Sequence, residues 1–483
     1  MSEINLNSAA QISAAVKSGE VSAVKVTEAS LAQIEAKDTE INSFNTVSGE
    51  IALAQAEAVD QKVASGEELG PFAGVPIGVK DLFCTEGIKT TCSSKILENW
   101  VPPYNATCVE DFLAADAVIV GKTNCDEFGM GGSNENSAFG PVKNPLDTTR
   151  VPGGSSGGSA ACVAAGMVPI SLGTDTGGSV RQPASLCGLV GFKPTYGAVS
   201  RYGMVAFASS FDTVAAFSTN VADSAASFDL LAHADGRDAT CIPGDRETVS
   251  DVVENYDGLD GLRVGVIKEL AGDGIEGFEP EVIEQLNNSV NALADSGAKV
   301  DEVSLPGLEA AISAYYILNP AEASSNLARF DGVRFGLREP GGNTAEMIRA
   351  SRTAGFGEEV KRRIMVGTYA LSSGYYDAYY AKAQKLRALL IKEFTDAYKD
   401  FDVLLSPTSP VVAFPIGGIV DPMSLYLLDI ATCPVNMAGL PAISVPFGTG
   451  AHGLPVGIQA IAPAMGEARM YKVAKALEEK QNG

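Results

Sequence analysis

The chain has 483 residues, 46% of them hydrophobic and 19% charged, which are the proportions of a globular protein with a large core. Lys and Arg number 35 against 59 Asp and Glu, a net charge of −24 that repels polyphosphate and argues against this chain being the main binder of a nucleic acid. No apolar run reaches the roughly 20 residues a membrane helix needs, and the polar opening MSEINLNSAAQIS has no signal-peptide core, so the expected location is the cytoplasm.

Residues 8 to 66 read as helices, with apolar positions at helical spacing, a break at Gly19, a second amphipathic run over Ile51 to Ala64 and a stop at Gly66. Next, Val75 to Val79 is short, apolar and β-prone, so Lys80 stands at the end of a buried strand. Burial lowers a lysine's pKa, so such an amine can act as a base. Leu113 to Val120 repeats the pattern as helix end and strand, and places Lys122 after Gly121. Spacing alone does not choose between the two lysines. The loop-rich stretch that follows, up to Pro145, has the composition of site-lining segments.

Two Gly/Ser clusters come next, Gly153 to Ser159 and Gly173 to Ser179, separated by an apolar run over Ala160 to Leu172 that reads as a buried helix entering a strand. Successive N–H groups in such loops form anion-binding concavities, and a serine at the end of one lies beside donors for an oxyanion. Further along, Leu186 to Tyr202 mixes short apolar pieces with turns, Ser209 to Ser218 is loop and strand, and Asn220 to Ala232 is a helix. Arg263 to Ile267 and Val300 to Val303 are strands around a helix over Glu279 to Ala298, an order that argues for an α/β fold with some parallel strands. Ala310 to Ala328 and Glu358 to Tyr398 are long helical stretches. Strands follow at Asp402 to Ser406, Ala442 to Pro446 and Gly457 to Ile461, then a terminal helix over Glu467 to Glu479.

The eight cysteines (Cys84, Cys92, Cys108, Cys125, Cys162, Cys187, Cys241 and Cys433) form no C-x-x-C or Cys/His cluster, which points to reduced thiols and away from zinc. There are only two histidines, His233 near a helix end and His452 in a turn. Serine chemistry here therefore lacks the usual imidazole base. Gly153 to Gly157 fits G-x-S-x-G, but it follows polar, proline-broken NPLDTTRVP where a nucleophile elbow needs a strand. Neither glycine cluster ends in Gly-Lys-Ser/Thr, so a phosphate loop is excluded.

The segments GGSSGGSAACVAAGMVPISLGTDTGGSVRQPA and GVPIGVKD resemble the signature of the amidase signature family, serine hydrolases that use a Ser–Ser–Lys triad. The resemblance covers essentially the whole chain and implies one large α/β domain over 1–483, a mixed central sheet covered by helices on both faces. Within it, 1–66 would be an N-terminal helical part, 70–220 the catalytic signature core and 257–483 the remainder. It implies Ser179 as nucleophile and Ser155, preceded by a cis peptide, as the bridge to Lys80, the neutral base. The N–H groups of Thr176, Gly177, Gly178 and Ser179 would hold the oxyanion. Lys122 becomes structural, and Ser156 and Ser159 become loop hydrogen-bonders.

Three more segments, EASSNLARFDGVRFG, RRIMVGTYALSSGYYDAYYAKAQKLR and TCPVNMAGLPAISVP, are similar to the glutamine-dependent amidotransferase branch of that family. This implies free glutamine as substrate, with Arg363 on its α-carboxylate, Asp429 on its α-ammonium and Tyr315 nearby. Arg362 and Tyr316 adjoin these positions and compete for the roles. It implies no cofactor in this chain. The B and C subunits of the amidotransferase would be its partners, and one of them, using ATP and Mg, would pass the released ammonia to misacylated tRNA. The alternatives are a stand-alone amidase acting on small amides and a non-catalytic scaffold.

Overall fold

Among the described residues of the computed structural model, 5–244, 246–272 and 276–482, eleven strands join in one mixed sheet. The first four residues of the polar opening lie outside that range. In chain order the strands are β1 (Phe44–Val47), β2 (Pro76–Lys80), β3 (Val118–Thr123), β4 (Ile170–Asp175), β5 (Val190–Lys193), β6 (Thr213–Ser218), β7 (Arg263–Ile267), β8 (Lys299–Val303), β9 (Val403–Pro407), β10 (Ala442–Thr449) and β11 (Pro455–Ile461). Their spatial order is β1-β3-β2-β4-β6-β5-β10-β11-β9-β7-β8.

Two parallel blocks sit inside this sheet. Strands β3, β2 and β4 run parallel, as do β9, β7 and β8, and the remaining pairs are antiparallel. Parallel strands need helical crossovers, which is why the central strands are buried on both faces. β2, β3, β4, β5 and β6 are buried at every position. The edge strand β8 carries exposed Lys299, Asp301 and Glu302, charges that discourage another strand from adding there.

The pairing of β2 with β3 contains a bulge. Ile77 lies opposite Ile119, but Gly78 lies opposite Gly121, so Val120 is skipped. Lys80 then faces Thr123, and Lys122 faces Val79. Successive residues on a strand point to opposite faces, so the bulge sends the two lysines to opposite sides of the sheet.

Helices Leu308–Asn326, Glu358–Ala370 and Tyr380–Ala397 pack over the parallel ends in a second apolar cluster that includes Phe128, Phe211, Tyr315 and Cys433. Helix Glu358–Ala370 approaches helix Leu308–Asn326 so closely at Gly367 that a Cβ there would lie 1.9 Å from the Pro320 carbonyl oxygen. Only glycine allows that crossing, and it sets the rotational phase of the helix that carries Arg363.

The elements depart from the sequence reading in a few places. The stretch read as helical over residues 8 to 66 contains β1, a four-residue edge strand entered through left-handed Asn42 (φ 62°). The long stretch over Glu358 to Tyr398 is two helices broken near Gly374, whose φ is 88°. Helix Thr344–Gly355 and strand β5 were not distinguished in the sequence. No helix among the described residues is long and apolar enough to cross a membrane. The cysteines are free, and all but Cys241 are buried.

Candidate active site

Parallel strands β2 and β4 run side by side, with Val79 opposite Leu172, and end at Lys80 and Asp175, at the carboxyl edge where open α/β sheets hold ligands. Lys80 is fully buried. Its Nζ donates to Ser155 Oγ at 2.9 Å, Ser156 Oγ at 2.7 Å and Thr174 Oγ1 at 2.8 Å. All three partners are hydroxyls and none is a carboxylate. Burial therefore dominates and lowers the amine to about 8, against smaller opposing pulls from Cys125, Asp126, Asp175 and Asp212. At that value roughly a fifth of the amine is neutral at pH 7.4, against about a thousandth for an ordinary lysine.

The three hydroxyls are not equivalent. Ser156 Oγ donates its proton to the Thr174 carbonyl at 3.1 Å, whereas Ser155 Oγ makes no hydrogen bond other than that from Lys80 among the described residues. Ser155 is thus free to relay a proton. It follows a cis peptide bond from Gly154. A Cβ on Gly154 would lie 2.2 Å from Asp126 Oδ2, so the turn closes over that carboxylate. The Ser156 amide donates to the Ser179 carbonyl at 3.2 Å, which ties the two Gly/Ser loops together.

The second loop is held from below by Asp175. Its carboxylate accepts the amides of Gly178 (3.0 Å) and Val180 (3.2 Å) and the Arg181 guanidinium through Nε (3.0 Å) and Nη2 (2.9 Å). Burial works to raise this carboxyl, but Arg181 outweighs it and holds the group well below the usual carboxylate range. Thr176 is fixed from the other side, its Oγ1 donating to Asp212 at 2.7 Å. Gly178 is therefore engaged, while the amides of Thr176, Gly177 and Ser179 have no protein acceptor among the described residues. Ser179 is 8% exposed at the loop's end.

Tyr315 closes the loop's outer side. A Cβ on Gly177 would sit 2.4 Å from its hydroxyl, so position 177 accepts only glycine. Tyr315 packs edge-on against Tyr316 (5.1 Å), and the Tyr316 hydroxyl donates to Asp429 Oδ2 at 2.8 Å. Burial raises the Asp429 carboxyl to about 7, only partly offset by Tyr316 and Arg363. The Arg363 guanidinium lies over Phe207, Tyr316 and Tyr426, and its Nε donates to Glu359 at 2.7 Å. Thr432 links this wall to the loop, its Oγ1 donating to the Gly177 carbonyl at 2.7 Å.

The structure thus brings together Lys80, Ser155, Ser179, the 176–178 loop, Tyr315, Arg363 and Asp429. Of the adjacent pairs, Arg363 is 4% exposed and faces the aromatic wall, while the Arg362 side chain is 47% exposed. Both tyrosines line the wall, Tyr315 at the loop and Tyr316 at Asp429. Lys122 is held by the Phe83 carbonyl at 2.7 Å, Thr90 at 2.6 Å and Asp81 at 3.3 Å, away from the serines. Ser159 donates to the Leu172 carbonyl at 2.8 Å, but Ser156 does more than hold its loop, since it touches Lys80. Thr174, Asp175, Glu359 and Tyr426 were missed in the sequence. Asp175 and Thr174 could have been found, because both lie within the second Gly/Ser cluster. His233 pairs with Asp111 at the surface and takes no part. Among the described residues no group of three His, Cys, Asp or Glu side chains is placed to hold a metal.

A profile of the family described as Amidase matches residues 25–470. The chain is 54% identical to the A subunit of the glutamyl-tRNA(Gln) amidotransferase of Acidothermus cellulolyticus, over 99% of this chain and 95% of that protein. It is 53% identical to the corresponding protein of Streptomyces coelicolor, over 99% and 96%. The crystal structure of its counterpart from Thermotoga maritima, which carries the same name, superposes with a TM-score of 0.79 at 42% identity, covering 95% of this chain and 92% of that one. A bacterial aryl acylamidase shares the fold at 24% identity, with a TM-score of 0.86. By sequence, by fold and by the make-up of its serine- and glycine-rich site, the chain belongs to the amidase signature family.

Proposed function

We propose that this chain is the glutaminase subunit of a glutamyl-tRNA(Gln) amidotransferase. The carrying observation is the pairing of Arg363 and Asp429 on one aromatic wall that touches the Ser179 loop through Tyr315. An α-amino acid presents a carboxylate and an ammonium side by side. An arginine fork and a carboxylate are their natural partners. A pocket for a simple aliphatic or aryl amide needs neither. The amidotransferase relatives, more than half identical over nearly the whole chain, support the same reading.

In the proposed reaction, neutral Lys80 takes a proton from Ser155 as Ser155 takes one from Ser179. Ser179 Oγ attacks the side-chain amide carbon of glutamine. The resulting oxyanion is held by the amides of Thr176, Gly177 and Ser179, while Gly178 stays with Asp175 and keeps the loop in shape. Collapse breaks the C–N bond, and the proton returned through Ser155 leaves with ammonia. Water then attacks the ester, and its proton follows the same relay to restore the serine and release glutamate. ATP and Mg serve a partner, which activates the glutamate of the misacylated tRNA. The B and C subunits complete the assembly. With a charge of −24, this chain leaves most phosphate contacts to them.

The test is to purify the assembled complex, add glutamine and assay ammonia, then acid-quench and weigh the peptide carrying Ser179. Ammonia release with a glutamyl adduct on that peptide is the expected result. Hydrolysis of aryl amides but not glutamine, without partners, would instead favour a stand-alone amidase.

The pH profile follows from the same groups. The base works unprotonated, so activity falls as pH drops through the Lys80 value of about 8. In the free enzyme kcat/KM should lose about tenfold per unit below it. Asp429 must be ionised to hold an ammonium, and its value of about 7 acts in the same direction. The limb should therefore steepen below pH 7. A kcat/KM profile flat between pH 6 and 9 would rule out Lys80 as the base.

A further inference from the structure

Glu359 gathers three donors at the back of the arginine. Its Oε1 accepts Arg363 Nε at 2.7 Å and the Tyr426 hydroxyl at 2.9 Å, and its Oε2 accepts Arg362 Nη1. The carboxylate is 9% exposed. Although burial opposes ionisation, the two arginines and Tyr426 hold it below its ordinary value, so it is a fixed negative charge.

The geometry of a guanidinium makes this arrangement informative. Its five N–H groups can meet a carboxylate from the side, through Nε and one Nη, or end-on through both Nη. With Nε engaged by Glu359, the end-on fork is what remains, and among the described residues Arg363 Nη1 and Nη2 have no hydrogen-bond partner. The ring of Tyr426 stacks on Tyr316 at 3.7 Å and 14°, and Tyr316 in turn donates to Asp429. One carboxylate thus touches the arginine directly and reaches the aspartate through a rigid aromatic pair.

Glu359, Arg362 and Arg363 share one helix at i, i+3 and i+4 spacing, so their ion pairs connect no separate elements, and the bond from Tyr426 is what ties Glu359 to another part of the chain. Because the Glu359–Arg363 pair is buried, a structural and a positioning role are separated by the substrate dependence of its loss rather than by stability.

We propose that Glu359 is the positioning residue of the glutamine subsite, fixing the Arg363 fork toward the α-carboxylate. The inference rests on the functional reading above.

The experiment compares two substrates in the purified complex. Glutamine has the α-carboxylate, whereas 4-aminobutyramide has the same amide and ammonium without it. Glu359→Gln keeps the side chain's size and removes its charge. It should lower kcat/KM for glutamine roughly 10- to 100-fold, mainly through KM, because a charge-assisted contact is weakened. For 4-aminobutyramide the loss should be under about threefold, a difference a merely structural residue would not produce. Glu359→Asp, one methylene shorter, should fall between and serves where the Gln variant does not assemble. Equal losses on both substrates, or no loss on either, would overturn the role of Glu359. A wild-type complex that releases no ammonia from glutamine would instead count against the functional reading itself.

Discussion

Ser179→Ala is expected to abolish glutamine hydrolysis, with kcat lower by roughly four to six orders of magnitude, as for removal of a nucleophile that acts as a unit with its base. The change deletes one oxygen at a position that is 8% exposed and whose hydroxyl takes no part in the Lys80 cluster. The loop itself hangs on backbone contacts that alanine keeps, from the Ser156 amide to the Ser179 carbonyl and from the Gly178 amide to Asp175. Folding and glutamine affinity should therefore survive. Calorimetric titration of the inactive complex with glutamine should give a dissociation constant within about threefold of the wild-type value, since Arg363 and Asp429 are untouched. Added ammonium salt should restore amide transfer, because only the source of ammonia has been lost. Retention of full glutaminase activity in this variant would remove the proposal.

Lys80→Met is the second large effect. Methionine fills similar volume and carries no proton. Activity should drop by at least about 10³-fold, the upper part of the range for a general base, and the inflection near pH 8 should vanish from whatever rate remains. The variant should melt within a few degrees of wild type. It leaves the Ser155, Ser156 and Thr174 hydroxyls without their lysine partner, a cost of about 1–3 kcal/mol per unpaired group, offset in part by removing an amine whose charged form is disfavoured by complete burial. Loss of activity together with loss of the folded state would point to a structural lysine instead. An intact fold without activity separates the two.

The core of this site was legible because its chemistry is local. The Gly/Ser clusters flank an apolar run, and the structure turns that run into the buried helix Gly157–Ala164 and strand β4. The shortage of histidine pointed to a lysine base without any coordinates. Which lysine was not legible, because the choice depends on strand pairing. The substrate wall was legible only through the family resemblance, which implied Arg363, Asp429 and Tyr315 and left Arg362 and Tyr316 as competitors for two of those places. Consecutive residues on a helix lie about 100° apart, so the phase that turns Arg363 inward and Arg362 outward comes from the crossing at Gly367, a tertiary contact. Glu359 was invisible for a different reason. A Glu four residues before an Arg is the common pattern of a solvated helix face, and only Tyr426, 67 residues away, gives it another meaning. Edge strand β1 is four residues long, too short for an alternating pattern to register.

The skipped residue Val120 settles how two buried lysines can coexist on adjoining strands. Under regular pairing Lys80 would lie directly opposite Lys122, and each charge would push protons off the other. With the offset, one amine keeps a carboxylate companion, Asp81, on its own side, while the other is left among alcohols. A single irregularity in a ladder thereby divides labour between like side chains: one, paired with a carboxylate, braces the scaffold, and the other is a group able to cycle between two protonation states.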